Sequence, residues 1–350
     1  MFKKFIYHFA KSLAWVNLHL YFSKIEINGR DRVPTGESPI ILAVNHQAAF
    51  LDAIIAGTLS PLPVNFLTRS DVFKPATQWI FSAFNMIPIY RIRDGFASLS
   101  KNEAIFETCK QILLDQKQLL IFPEGNHSEN HFLRPITKGI SRIALNSQLV
   151  NHKDIKVVPV GINYFHHTRS GRKLSLYYGD PINVRDFMPA DGDISPKNLN
   201  DFRKAVMKGM KECLIIPEEE NYNENKFVFS RANEKLTHSK IRELVEQGQN
   251  FKRESKNGLA HILSQLLKLP NLPVYLLYHW VEKTKVSQVA FISSIKLVTG
   301  MFIFPLWLLL SFIFGGLILG WNIGAYIVVL QVIAVLLRRW IVPYSYATEA

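Results

Sequence analysis

The sequence predicts an α/β fold, a single sheet flanked by helices, preceded by an N-terminal interfacial helix and followed by a C-terminal transmembrane helical hairpin. Three observations predict it. Short apolar runs alternate with longer segments of helical spacing, the N-terminus is basic and amphipathic, and a stretch near the C-terminus of about 41 residues carries no charge. The chain has 350 residues, 48% hydrophobic and 20% charged, which is enough to bury a sizeable core and excludes a disordered tail.

Taken in order, Met1 to Phe22 places Phe2, Phe5, Ile6, Phe9, Leu13 and Val16 near one helical face, interrupted by Lys3, Lys4, His8 and Lys11. This composition suits a helix lying in a membrane interface, or an amphipathic helix packed on the domain, better than a signal peptide. Strand-length apolar runs then occur at Pro39 to Val44, Val64 to Leu67, Gln118 to Phe122, Val157 to Ile162 and Lys173 to Tyr178. Between them, Ala97 to Asp115 and Lys138 to Asn146 have helical spacing. From Asp191 to Lys256 the chain turns charged and asparagine-rich, so 191–290 reads as an accessory helical region. Leu269 to Trp280 is apolar and aromatic but too short to span a bilayer, and reads as interfacial.

Leu297 to Leu337 holds no charged residue and no histidine, about twice the ~20 residues that one helical span needs. Two helices with a turn at Gly320 to Gly324 fit it, within a membrane region at 291–340. Lys296 before the first helix and Arg338 and Arg339 after the second lie on one side, and the positive-inside bias makes that side cytoplasmic. The expected organisation is therefore an interfacial helix at 1–25, a catalytic domain at 26–190, the accessory region and the hairpin. The protein is expected to be integral to a membrane, with both termini and the domain in the cytoplasm.

Charge narrows the partners. A formal net charge of +13 calls for an anionic one, either a phosphate-bearing substrate or an anionic membrane surface. No basic-aromatic recognition motif supports nucleic acid. Cys109 and Cys213 are too few and too far apart for a disulfide framework or a cysteine zinc site, which suits a reducing compartment.

The chemistry-bearing residues follow strands. Asn45 and His46 leave the run Ile40 to Val44 and are followed by Asp52, so an imidazole base and a carboxylate that orients it are within reach. Glu124 and Asn163 also stand near strand ends, where open α/β sheets build their sites. Phe122-Pro123-Glu124-Gly125 with Ser128 offers a carboxylate and a glycine that permits close backbone approach. Arg134 and Lys138 bring cations near that loop, and Met86 to Tyr90 leads into Arg91 and Arg93.

In this order the segments resemble the glycerolipid acyltransferase family, which includes glycerol-3-phosphate and lysophosphatidic acid acyltransferases. The resemblance spans about residues 28–183. Asn45-His46 with Asp52 is similar to the first family motif and Ile87 to Arg91 to the second. Phe122 to Gly125 with Ser128 is similar to the third, and Val157 to Gly161 to the fourth. Lys138-Gly139 and Gly179 to Ile182 also look like recurring family positions.

The resemblance implies His46 as general base, Asp52 as its orienter, Arg91 and the Glu124-Gly125 loop as binders of a glycerol-phosphate acceptor, and Pro159 on the acyl-donor side. Arg93 is the alternative to Arg91, while Ser128, Arg134 and Lys138 complete the expected substrate-binding set. The implied partners are glycerol 3-phosphate or its 1-acyl derivative, an acyl thioester of CoA or of acyl carrier protein, and membrane lipids. Neither metal nor cofactor is expected. A lyso-aminolipid is the alternative acceptor.

Two departures from the family pattern bear on geometry. Gln47, Ala48, Ala49, Phe50 and Leu51 separate His46 from Asp52, one residue more than the family usually has. On a regular helix one residue turns a side chain by about 100°, so the two meet only if the segment starts as an irregular turn. Asn126-His127 also replaces the common Thr-Arg, removing one cation that Arg134 or Lys138 could supply.

Overall fold

A computed structural model describes residues 2–36, 38–73, 78–90, 101–220, 222–249, 251, 254–342 and 346–348. Eight strands form one mixed sheet: β1 (Lys24–Asn28), β2 (Ile40–Val44), β3 (Val64–Arg69), β4 (Met86–Ile89), β5 (Gln118–Ile121), β6 (Lys156–Tyr164), β7 (Lys173–Tyr178) and β8 (Ile182–Asn183). Their order is β1-β7-β6-β2-β5-β3-β4, with β8 pairing β6. The strands β2 to β6 run parallel, and β7 and β8 oppose β6.

Every residue of β2 is buried, as expected of a central parallel strand covered on both faces. Its alternation divides the core in two. Ile40, Leu42 and Val44 pack with Leu18 and Phe22 near the N-terminus and with Leu51 and Ile55 of α2 (Phe50–Leu59). Ile41 and Ala43 face Cys109 and Leu113 of one helix (Lys101–Leu114) and Ile140 and Ile143 of another (Gly139–Val150). Both cysteines are buried and free, and burial pushes each thiol up to about 12, so they act as packing residues.

The helix Pro196–Glu212 changes one sequence expectation. Composition places it in an accessory region, yet Phe202, Val206 and Met210 enter the second half of the core. A proline in its first turn and a reciprocal Ser195–Asn198 capping box start it. Its three buried residues recur at helical spacing within a polar sequence, so mean composition hides its inner face. Beyond it, Ile215, Ile216, Val228, Phe229 and Ile241 form a smaller cluster with Phe165. The strand β1 had no sequence-based prediction, because Lys24-Ile25-Glu26-Ile27-Asn28 alternates polar and apolar side chains at a sheet edge.

The N-terminal helix (Phe2–Tyr21) buries Tyr7, Ala14, Leu18 and Tyr21 against the domain while Phe9, Trp15, Val16 and Leu20 stay exposed. It is packed on the domain and still presents apolar side chains outward. Its Asn17 amide donates to the Leu297 carbonyl at 3.1 Å, which ties it to the start of the C-terminal helices.

Among the described residues, two helical stretches, Val289–Leu319 and Trp321–Ile341, are long and apolar enough to cross a membrane, with mean hydropathies of 2.4 and 1.7. They do not form the core of a soluble domain, since Leu317, Ile318 and Tyr326 are about 70% exposed or more. Gly320, at φ 98°, separates the last helix (Trp321–Ile341) from the one before it (Phe304–Leu319), where the sequence places the turn. A π-helical turn at Thr299–Ile303 precedes Pro305, loosening the ladder where proline offers no N–H. The Gln331 amide donates to Pro270 O at 3.1 Å and Ser311 Oγ at 3.0 Å, so neighbouring segments share that polar side chain.

Close approach of the two helices depends on glycine. A side chain at Gly324 would place Cβ 2.8 Å from both Gly316 N and Phe312 O. Gly324→Val is therefore expected to splay the hairpin and destabilise the detergent-solubilised protein by about 1–3 kcal/mol, measured by thermal unfolding. A melting curve that matches the wild type would show that the helices do not pack in this way.

Candidate active site

The candidate site forms where β2 ends. Val44 closes the strand, and Asn45 remains tied to β6, its side chain donating to Ile162 O at 3.1 Å and accepting from Ile162 N at 2.6 Å. His46 thus leaves the sheet from a fixed point. The next residues form an irregular turn in which Ala49 has φ 48°, a left-handed value uncommon for alanine, and α2 begins at Phe50. This turn absorbs the extra residue and brings Asp52 back to His46.

His46 Nδ1 lies 2.8 Å from Asp52 Oδ2. The same oxygen accepts the Gln47 and Ala48 N–H groups at 2.8 and 2.7 Å, and Tyr164 Oη donates to Oδ1 at 2.6 Å. Asp52 is fully buried and accepts hydrogen bonds on both carboxylate oxygens. An ionised carboxylate can only accept, so Nδ1 carries the proton and Nε2 holds the free lone pair. The His46 side chain is 17% exposed and can be reached from outside. Phe122 stacks on the imidazole at 4.2 Å and 18°, which fixes its plane.

Glu124 builds the adjoining wall. Its Oε1 accepts the His46 N–H at 2.8 Å and its Oε2 accepts Arg134 Nε at 2.8 Å, while Arg134 also donates to the Asn126 carbonyl. Burial pushes the Glu124 carboxyl up, and the Arg134 charge and the two backbone N–H groups it accepts oppose that shift. Gly125, at φ 71°, closes the turn back to Phe122 O at 3.0 Å, and the Ser128 N–H donates to His46 O at 3.0 Å. His127 meets the His46 ring edge-to-face at 5.6 Å, and its Nε2 lies 2.8 Å from Gln288 Oε1. Burial lowers the His127 pKa below the usual histidine value, so the position that commonly holds an arginine holds a neutral ring at pH 7.

Of the residues singled out in the sequence, His46, Asp52, Glu124, Gly125, Ser128 and Arg134 meet in this one place. Lys138 is exposed just before the helix Gly139–Val150, and Pro159 is buried in β6 opposite Ala43, packed near Gly179 and Gly209. Arg91 and Arg93 lie outside the described residues. Asn163 does not follow its strand but sits within β6, where its side chain bonds Cys213 O and the Ile215 N–H at 3.0 and 2.9 Å and serves the fold. Sequence reasoning missed Tyr164 and Ser294. A buried tyrosine hydroxyl needs a partner, but nothing along the chain pointed to a residue 112 positions away.

Replacing Arg134 with methionine leaves Glu124 buried without its cation. Arg134→Met is expected to cost about 3 kcal/mol of stability, measured by denaturant unfolding, and Glu124→Gln combined with it is expected to recover part of that loss. Equal stability of Arg134→Met and wild type would mean that the pair does not hold this wall.

The chain is similar to known proteins over part of its length. Residues 24–163 match the family model described as Acyltransferase. The chain is 26% identical over 161 residues to a chloroplastic 1-acyl-sn-glycerol-3-phosphate acyltransferase, BAT2, of Brassica napus, covering 45% of this chain and 43% of the relative. It is 28% identical over 154 residues to glycerol-3-phosphate O-acyltransferase 1 of Saccharomyces cerevisiae, covering 43% and 20%. It thus spans less than half the length of these curated relatives. A crystal structure of the 1-acyl-sn-glycerophosphate acyltransferase PlsC from Thermotoga maritima aligns with TM-score 0.42 and 19% identity, over 60% of this chain and 80% of that one. The similarity to the acyltransferase family thus lies in residues 24–163, the stretch that holds His46, Asp52, Glu124 and Arg134.

Proposed function

We propose that the protein is a membrane-bound O-acyltransferase that moves a fatty acyl chain from a thioester of CoA or acyl carrier protein to glycerol 3-phosphate or its 1-acyl derivative. The observation that carries this reading is the His46–Asp52 pair at 2.8 Å, with Nε2 left as the accessible base. Nε2 takes the proton of the acceptor hydroxyl as that oxygen attacks the thioester carbonyl. The carbon–sulfur bond then breaks, and the imidazolium returns the proton to the departing thiolate. Asp52 stabilises the imidazolium between the two steps.

Arg91 and Arg93, with Lys138 and the Glu124-Gly125 loop, are the proposed contacts of the acceptor phosphate. Within this assignment Arg134 holds Glu124, and Pro159 shapes the acyl-donor side through packing. Both ends of the hairpin are basic and the stretch between them is apolar, which supports insertion in a bilayer with the domain on the cytoplasmic side. A second acceptor class is favoured by one observation: Arg134 is engaged by Glu124 and His127 is held neutral, so these two positions offer little charge to a phosphomonoester. A lyso-aminolipid would need less.

The deciding experiment is radiolabelled acyl transfer on membranes, with glycerol 3-phosphate, 1-acylglycerol 3-phosphate and a lyso-aminolipid offered separately. His46→Ala is expected to lower turnover by about 10²- to 10⁴-fold and Asp52→Asn by a smaller factor in that range. Wild-type turnover no higher than that of His46→Ala with all three acceptors would reject acyl transfer to them. Alkaline carbonate extraction tests the anchoring: the protein is expected to stay in the membrane pellet, and full release would exclude integral insertion.

A further inference from the structure

The turn that carries Asp52 is closed by a residue far outside the matched family region. Ser294 is buried, and its Oγ accepts the Leu51 N–H at 3.0 Å and donates to Ala48 O at 3.2 Å. Leu51 N also lies 3.0 Å from Ala48 O, so the hydroxyl fits into the bond that spans Ala49. Ala49 has φ 48° there, a conformation that persists only where its surroundings hold it. The neighbouring Gln47 and Ala48 N–H groups fix Asp52 Oδ2, so movement of this turn moves the carboxylate.

The same segment makes further contacts at the site. Gln288 reaches His127 at 2.8 Å, and Phe291 meets the His127 ring edge-to-face at 5.1 Å. Ser293, next to Ser294 and as deeply buried, donates instead to the His167 carbonyl and has no bond to the turn among the described contacts. Ser294 is 243 positions from Leu51 and belongs to the helix Ile292–Val298, which lies in the first part of the long apolar stretch Val289–Leu319.

We infer that Ser294 is a positioning residue for the reaction: the segment entering the hairpin completes the turn that orients His46 through Asp52, and residues 24–163 alone do not make a competent site. The inference rests on the acyl-transfer reading above. Loss of the hydroxyl frees the turn, lets Asp52 wander and misaligns the base, while the surfaces that bind substrate are unchanged. The signature is a fall in kcat with the acceptor KM retained.

The test uses the full chain with Ser294→Ala, Ser294→Thr and Ser293→Ala, and measures acyl-transfer kinetics together with hydrogen exchange of the peptide 46–52 by mass spectrometry. Ser294→Ala is expected to lower kcat about tenfold with KM within about twofold, and to speed exchange in 46–52. Ser294→Thr, which keeps a hydroxyl, is expected to restore both to near wild type, and Ser293→Ala to leave kcat unchanged. Should Ser294→Ala not fold, Ser294→Cys takes its place with a weaker donor and acceptor. An unchanged kcat in Ser294→Ala, or an equal fall in Ser293→Ala, overturns the inference. If the wild type transfers no acyl group, the functional reading fails, and the exchange data decide the positioning separately: unchanged protection in Ser294→Ala refutes it.

Discussion

The site depends on one buried carboxylate. Asp52 is out of contact with water, and an ion in that position is stable only if donors replace the solvent it has lost. Its donors come from the His46 ring, from two successive backbone N–H groups and from Tyr164 at the end of β6. Each source is held by a different part of the fold. The parallel pairing of β2 with β6 places Tyr164 over the turn, and the Asn45 bridge fixes the residue before His46. The arrangement is preorganised: the carboxylate already stands at 2.8 Å from the imidazole with its other donors in place.

The wall beside it follows the same economy. Glu124 accepts from both the His46 backbone and Arg134, so the two motif loops are joined through a single carboxylate. The backbone of Ser128 returns a bond to the His46 carbonyl. The peptide groups on either side of His46 are thereby held by the third-motif loop and the side chain by the first. These anchors restrict the imidazole to a small range of orientations.

Much of the fold was legible because buried parallel strands write themselves as unbroken apolar runs. Ile40 to Val44 and Leu119 to Phe122, within the predicted run Gln118 to Phe122, were such runs, and the hairpin announced itself by about 41 residues without charge. Edge strand β1 and the helix Pro196–Glu212 were harder to read, since each buries only part of its surface and mixes polar residues among apolar ones. The site was legible where its residues are close in sequence. The His46–Asp52 spacing could be read as a need for an irregular turn, and Ala49 supplies it. Tyr164 and Ser294 were not legible, because a hydroxyl that bonds across 112 or 243 positions leaves no local pattern.

The hairpin returns the chain to where it departed. Arg339, near the end of the last helix, donates to Phe22 O at 3.1 Å, and Tyr346–Thr348 pairs with Glu254–Lys256 as a small antiparallel ribbon. The entry into the hairpin is fixed by Ser293 and Ser294, and its exit by Arg339. An apolar arm gripped at both ends behaves as a rigid mast rather than a tether. The height of His46 above any surface the arm enters is then set by the protein itself, as a ruler sets a depth, and not by the slack of a linker.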